Sequence, residues 1–371
     1  MRPGSASAGS TPARRTPAAA RAPLLALGFV ALVLGVDGGL VRLGFALPAP
    51  AAGVAWHGAL MASAFFGTLI SLERAVAIGR PWAYGAPAAC GAGGIALLLR
   101  DAQLGFALLA AGAALYVAAS TAVYLRQRAL HTGVLALGAL GLLAANLVLA
   151  AGLPSETAVP SWFAFLALTI GGERLELSRL VPVPKAARRA FAALSVAVLA
   201  AALLAVWRFD AGLRLCGALL LLSAAWLARY DIATRTVHAK GLTRYIALCL
   251  LAGYAWLAFG GALLAARDVL WSGRELWDAA LHAVLIGYVF SMVFGHAPVI
   301  LPAVLRVAFP YRAVLYVPLA LLHAALAVRV VGDLAGSAGW RAAGGAGNAL
   351  AIALFIVTAA ALVWRGGARS G

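Results

Sequence analysis

The chain has 371 residues, 64% of them apolar and 11% charged, with a mean hydropathy of +0.96. Soluble domains carry about half apolar and a quarter charged residues, so a soluble enzyme is excluded. Hydrophobic runs long enough to cross a core of about 30 Å as helices recur along the sequence, which predicts an all-α, polytopic membrane protein. The excess of 29 Lys+Arg over 12 Asp+Glu, net +17, reads as loop basicity that sets topology, with no nucleic acid as partner.

Residues 1–22, rich in Pro, Ala and Arg, precede the first hydrophobic run without a persuasive cleavage site, and are expected to form a disordered basic cytoplasmic tail before a retained first helix. Breaks at Pro, Gly and charge clusters then predict spans at 24–46, 54–73, 83–99, 103–124, 130–150, 160–179, 190–207, 211–228, 243–265, 277–297, 311–331 and 344–364. This makes a single twelve-helix membrane domain over 23–365 and a short cytoplasmic tail at 366–371. The tail, the loops after even-numbered helices and the C-terminus hold 20 of the Lys+Arg, and the opposite loops hold 7. By the positive-inside rule both termini are cytoplasmic, in a bacterial-type inner membrane, and even-numbered helices run from outside to inside. Cys90, Cys216 and Cys249 sit singly inside predicted helices and read as core filler.

His57-Gly-Ala-Leu-Met-Ala-Ser-Ala-Phe-Phe-Gly in helix two lies over His282-Ala-Val-Leu-Ile-Gly-Tyr-Val-Phe-Ser-Met in helix ten. Helix six shares their texture without an opening histidine. The spacing of four hints at three pseudo-repeated four-helix units.

An ionisable side chain at bilayer depth costs several kcal/mol unless it is paired or bound. The candidates are Asp37, Arg42, His57, Glu73, Arg74, His131, Glu173, Arg174, Glu176, His282, His296 and His323. His57 and His282 share an outer depth on different helices, as axial ligands of a haem iron must; ordinary polar pairing is the alternative. Small residues (Gly58, Ala59, Ala62, Ser63, Ala279, Ala280, Ala283, Gly287) leave room for a macrocycle or let helices approach. Asp278, at i−4 from His282, could orient that imidazole. Arg42 could meet a propionate or snorkel to the headgroups. In an inner layer, His296 follows His282 by about 21 Å of helical rise on nearly the same face. It joins Glu73, Arg74, Glu173, Arg174 and Glu176 in a carboxylate–histidine metal site, a proton route or a set of structural ion pairs, the last being favoured at helix ends. His323 needs a buried partner. His131 and His238 read as solvated surface groups.

Trp56-His57 opening helix two, and Leu281-His282-Ala283 leading through Gly287 to Gly295-His296-Ala297-Pro298, resemble the NnrS family. These are twelve-helix bacterial membrane proteins linked to nitric-oxide response and similar to subunit I of haem-copper oxidases. The resemblance implies a haem-copper-oxidase-subunit-I-like bundle with haem b between His57 and His282, and copper as a second metal. It further implies electron transfer or handling of a small gas ligand (nitric oxide or oxygen) in respiratory or nitrosative-stress metabolism, with a redox partner protein or quinone. Ala59 stands where the family's helix two has a second histidine. Helix six lacks His-Pro-Glu-x-x-x-Tyr and helix seven has no histidine, so turnover of the oxidase or nitric-oxide-reductase type is not expected. The rival reading is a proton- or ion-coupled secondary transporter built on Glu73, Glu173, Glu176 and His296. Against it, those charges cluster at helix ends and no matching pair of broken spans is evident.

Overall fold

A computed structural model describes residues 21–266 and 274–367. Of the predicted tails, residues 1–20 and 368–371 therefore lie outside the described residues. All regular structure among the described residues is helical. Twelve principal helices run in order: α1 Ala22–Arg42, α2 His57–Ile78, α3 Gly85–Leu98, α4 Ala102–Arg126, α5 Leu130–Ala150, α6 Ser155–Leu177, α7 Lys185–Trp207, α8 Phe209–Tyr230, α9 Gly241–Ala265, α10 Glu275–Leu305, α11 Ala313–Leu334 and α12 Ala338–Gly367. Ten of these are long and apolar enough to cross a membrane, the exceptions being α3 and α6. The chain is thus a multi-pass membrane protein. α3 has 14 residues, too few to span alone, and α6 carries Glu156, Glu173, Arg174 and Glu176 on one 23-residue helix.

Local chemistry sets the ends. Pro23 opens α1, where a missing N–H costs nothing. The Asp101 carboxylate accepts from the Leu104 N–H at 2.9 Å and caps α4. Gly79 terminates α2 in the left-handed region, φ 68°, which a side chain would strain. Pro154 and Pro184 immediately precede α6 and α7.

Two helices depart from the regular period. Leu60–Phe66 in α2 and Ala283–Phe290 in α10 are π-helical, with wide turns. In each, a histidine sits just before the wide segment: His57 three residues ahead of Leu60, His282 one residue ahead of Ala283. The two stretches that align in sequence therefore share a backbone irregularity, and such segments occur disproportionately at functional sites.

Helices adjacent in sequence pack as antiparallel neighbours, α5 on α6 and α11 on α12 most extensively. α6 is the central post: 17 of its 23 residues are buried, and it touches α5, α7, α8 and the wide segment of α10. Its low apolarity fits that position, since a helix surrounded by protein needs no lipid-facing stripe. Exposed tryptophans mark the two rims of the bundle, Trp207 and Trp340 at one end, Trp82 and Trp364 at the other.

Candidate functional site

Both aligned histidines line one cavity of about 760 Å³ at the end of the bundle marked by Trp207 and Trp340. Its wall takes the last turn of α1, the starts of α2, α6, α10 and α12, and Arg329 near the end of α11. The alternating direction of the helices brings these ends together.

The hydrogen bonds fix the imidazoles. His57 Nδ1 lies 2.6 Å from the carbonyl oxygen of Gly35. A carbonyl only accepts, so Nδ1 carries the proton and the Nε2 lone pair is left over. His282 repeats the pattern: Nδ1 donates to the carbonyl oxygen of Asp278 at 2.9 Å and stands 3.3 Å from that residue's Oδ1. Neither Nε2 has a protein partner among the described residues. The ring of His57 is seated on Gly39, where a Cβ would come within 2.8 Å of its Cε1, so a helix without a side chain there is what lets the imidazole lie flat. Opposite, Trp162 of α6 packs on Gly58 and donates its indole N–H to Ser63 Oγ at 2.9 Å.

The rim and the floor differ in character. Around the rim stand Arg42, Arg329, Arg341, Glu156, Glu275 and Asp278. Arg329 grips Asp278 Oδ2 with Nε at 3.2 Å and Nη2 at 2.8 Å, while Arg341 reaches Glu275 at 3.9 Å and Asp333 at 3.8 Å. Arg42 lies 3.4 Å from the Val54 carbonyl, too long for a strong bond, and is otherwise open to the rim. The floor is aromatic. Phe66 and Phe290 meet edge to face at 5.5 Å, and Phe65 stacks on Phe290 at 6.3 Å with 15° between planes.

The inner group forms a separate cluster that does not line the cavity. His296 Nδ1 donates to the Met292 carbonyl at 2.9 Å and Nε2 accepts from Arg174 Nη2 at 2.9 Å. Glu173 Oε2 lies 3.5 Å from the same nitrogen. Both ring nitrogens are thus occupied by protein, one of them by a cation's N–H, which leaves no lone pair for a metal: in place of the expected metal ligand, His296 is a neutral hydrogen-bonding partner of Arg174. His282 lines the cavity whereas His296 does not. The π-helical segment Ala283–Phe290, with more than 3.6 residues per turn, lies between them. Arg179 pairs with Glu176 at 2.7 Å. Glu73 and Arg74 lie with Glu173 at this same end, on the last turns of α2 and α6.

Other candidates resolve individually. His323 accepts from Trp256 Nε1 at 3.0 Å through Nδ1, so its Nε2–H faces Ser291 Oγ at 3.3 Å, and Ser291 donates to the Cys249 carbonyl at 2.7 Å. This closed relay makes His323 a packing residue. His131 was expected to be solvated; its side chain is 12% exposed and lies 4.0 Å from Glu176, whereas His238 is exposed. Asp37 does not line the cavity. The three cysteines are buried and unpaired. Trp162, Trp277, Arg329 and Arg341 were missed from sequence. A signal existed for Arg329, an arginine inside a predicted span, but none marked the tryptophans, since aromatic residues fill any membrane core.

Fold and cavity together define a multi-pass helical membrane protein with one histidine-walled, arginine-rimmed chamber. The chain belongs to the family described as Domain of unknown function (DUF8744), which matches residues 21–364. No curated protein and no solved structure matches it.

Proposed function

We propose that this is a membrane haem protein in which His57 and His282 hold one haem b across the cavity. The observation that carries the reading is the pair of imidazoles on one wall system, each with Nδ1 committed to a backbone carbonyl and Nε2 free. A backbone bond at the far nitrogen fixes tautomer and ring direction, as ligating histidines generally require. A cavity of about 760 Å³ falls within the range of about 300–1,000 Å³ usual for cofactor sites. When bound, the haem would supply an iron centre able to gain and lose one electron, or to take a gas ligand if one imidazole dissociates. The chain's own residues do the rest. Arg42, Arg329 and Arg341 offer cations to the macrocycle's carboxylates at the rim, Asp278 holds His282 and Arg329 in register, and the phenylalanine floor keeps water from the inner end.

We extend the reading to a bundle crossing the membrane twelve times in the manner of haem-copper oxidase subunit I, with both termini cytoplasmic. α3 and the 3₁₀ turn Pro81–Tyr84 before it together span about 29 Å at 1.5 and 2.0 Å per residue, enough for a crossing. α6 crosses as the protein-enclosed post. The NnrS-like role, electron transfer or handling of nitric oxide or oxygen, follows from the same pair of histidines.

The transporter reading gains one point, since the wide segments of α2 and α10 form a matched pair of irregular spans. It loses another, because Glu73, Glu173 and His296, its proposed ion site, stay outside the cavity.

The experiment is a dithionite-reduced minus air-oxidised absorption spectrum of the purified protein, with iron quantified on the same sample. Sharp reduced bands at about one iron per chain, lost in both His57→Ala and His282→Ala while each variant stays monodisperse, support the proposal. Unchanged haem content in both variants, or a folded protein that refuses added haem, sinks it.

A further inference from the structure

A second concavity, of about 340 Å³, lies at the end of the bundle opposite the histidine cavity. It is walled by Gln127, Ala129, Leu130 and His131 at the α4–α5 junction, Leu175, Glu176 and Arg179 at the end of α6, and Lys185, Arg188 and Arg189 at the start of α7. Four permanent cations converge there on one carboxylate, and that carboxylate is taken by Arg179 at 2.7 Å. The side chains of Lys185, Arg188 and Arg189 have no anionic or hydrogen-bonding partner among the described residues. Arg179, Lys185 and Arg189 are exposed and Arg188 is half-buried, so water screens these charges in part, and two effects still add positive potential at the pocket. The cations converge on one place, and Lys185, Arg188 and Arg189 occupy the first turns of a 23-residue helix that has no acidic residue there, where the helix dipole already presents positive charge. That combined potential would attract an anion to the pocket. The anion's source is set by the surroundings: the pocket opens between the ends of membrane-crossing helices, and Leu125, Leu130 and Leu180 stand exposed beside it, an apolar surface suited to acyl chains.

We infer that this pocket binds the phosphate headgroup of an anionic phospholipid from the adjacent leaflet, with Arg179, Lys185, Arg188 and Arg189 as the ligands. The inference is independent of the haem reading, sharing no residue with the cavity.

The test is native mass spectrometry of the delipidated full-length protein titrated with phosphatidylglycerol, phosphatidylcholine of the same chains, or inorganic phosphate. Phosphatidylglycerol should bind saturably, and Arg188→Gln with Arg189→Gln should weaken it about thirtyfold. Arg235→Gln with Lys240→Gln, which removes equal charge from another loop at the same end, should leave affinity within about twofold. Glu176→Gln, which removes the one carboxylate, should tighten binding about fivefold and keeps the test alive if the double arginine variant does not fold. Equal binding of phosphatidylcholine, equal loss in the control pair, or weaker binding in Glu176→Gln overturns the inference. Occupancy by inorganic phosphate with exclusion of the lipid does so too, by making the site one for a free anion.

Discussion

At the scale of residues, the decisive chemistry lies in which nitrogen of each histidine is spent. His57 and His282 give Nδ1 to backbone carbonyls and keep Nε2, His296 and His323 spend both, and no count of histidines in a sequence separates these cases. The rim pair Arg329–Asp278 can be tested without reference to any cofactor. Arg329 is buried with a side chain 8% exposed, against 28% for Asp278. Removing the guanidinium strands a largely buried carboxylate that also lies beside His282. Arg329→Ala should therefore cost about 3 kcal/mol, read as a lowered thermal midpoint in detergent, while Arg341→Ala, whose pairs are 3.8 and 3.9 Å long, should cost less than about 1 kcal/mol. Equal losses would mean that the short two-donor contact of Arg329 on Asp278 Oδ2 is not what secures this rim. The candidate site is legible to the extent that it rests on rarity: ionisable residues inside apolar runs stand out, which marks His57, His282 and Arg42, and Asp278 follows from its i−4 spacing to His282. Trp162 and Trp277 were illegible because nothing distinguishes a cavity-lining tryptophan from a packing one until Gly58 and Ser63 are seen beneath the Trp162 ring.

At the scale of elements, positions of helices were readable from hydropathy and punctuation, and the twelve helices begin and end mostly within a few residues of the predicted runs. The wide turns were not readable, because a π segment has no composition of its own; Leu60–Phe66 is as apolar as any α-helical stretch around it. Their consequence is large. Each lies between its cavity histidine and the inner half of its helix; His57 and His282 line the cavity, while His296 meets Arg174 and Glu173 of α6. Deleting Ala64 from the wide segment of α2 should let that turn close to the α-helical period and turn His57 by about 100° relative to the inner half of the helix. The expected result is a chain that still purifies as a monodisperse species but no longer takes up haem. Deleting Ala113, buried within the regular helix α4, should instead abolish monodisperse protein, because no irregularity is there to absorb the loss. If the Ala64 deletion aggregates as fully as the Ala113 deletion, the wide turn is not a stored extra residue but an obligatory part of the packing.

At the scale of the whole molecule, the two ends of the bundle are chemically distinct. One carries the histidine cavity and its arginine rim, the other the Glu73–Glu173–Arg174–His296 cluster and the basic pocket below α7. In the proposed topology, the surplus of Lys+Arg in the loops at the second end places that end in the cytoplasm by the positive-inside rule, which would open the cavity to the outside. An electron donor or gas ligand would then arrive from the extracytoplasmic phase. The native cysteines make this testable in the intact chain, because Cys90, Cys216 and Cys249 are all buried and should be silent to a membrane-impermeant maleimide. A single Ser155→Cys, at an exposed position on the cavity wall, should label in intact cells whose outer barrier has been removed. Arg235→Cys, exposed between α8 and α9, should label only after the membrane is permeabilised. The reverse pattern would turn the molecule over, give the cavity to the cytoplasm, and replace a periplasmic donor with a cytoplasmic one. It would also mean that the loop charges serve the basic pocket's anion more than the topology.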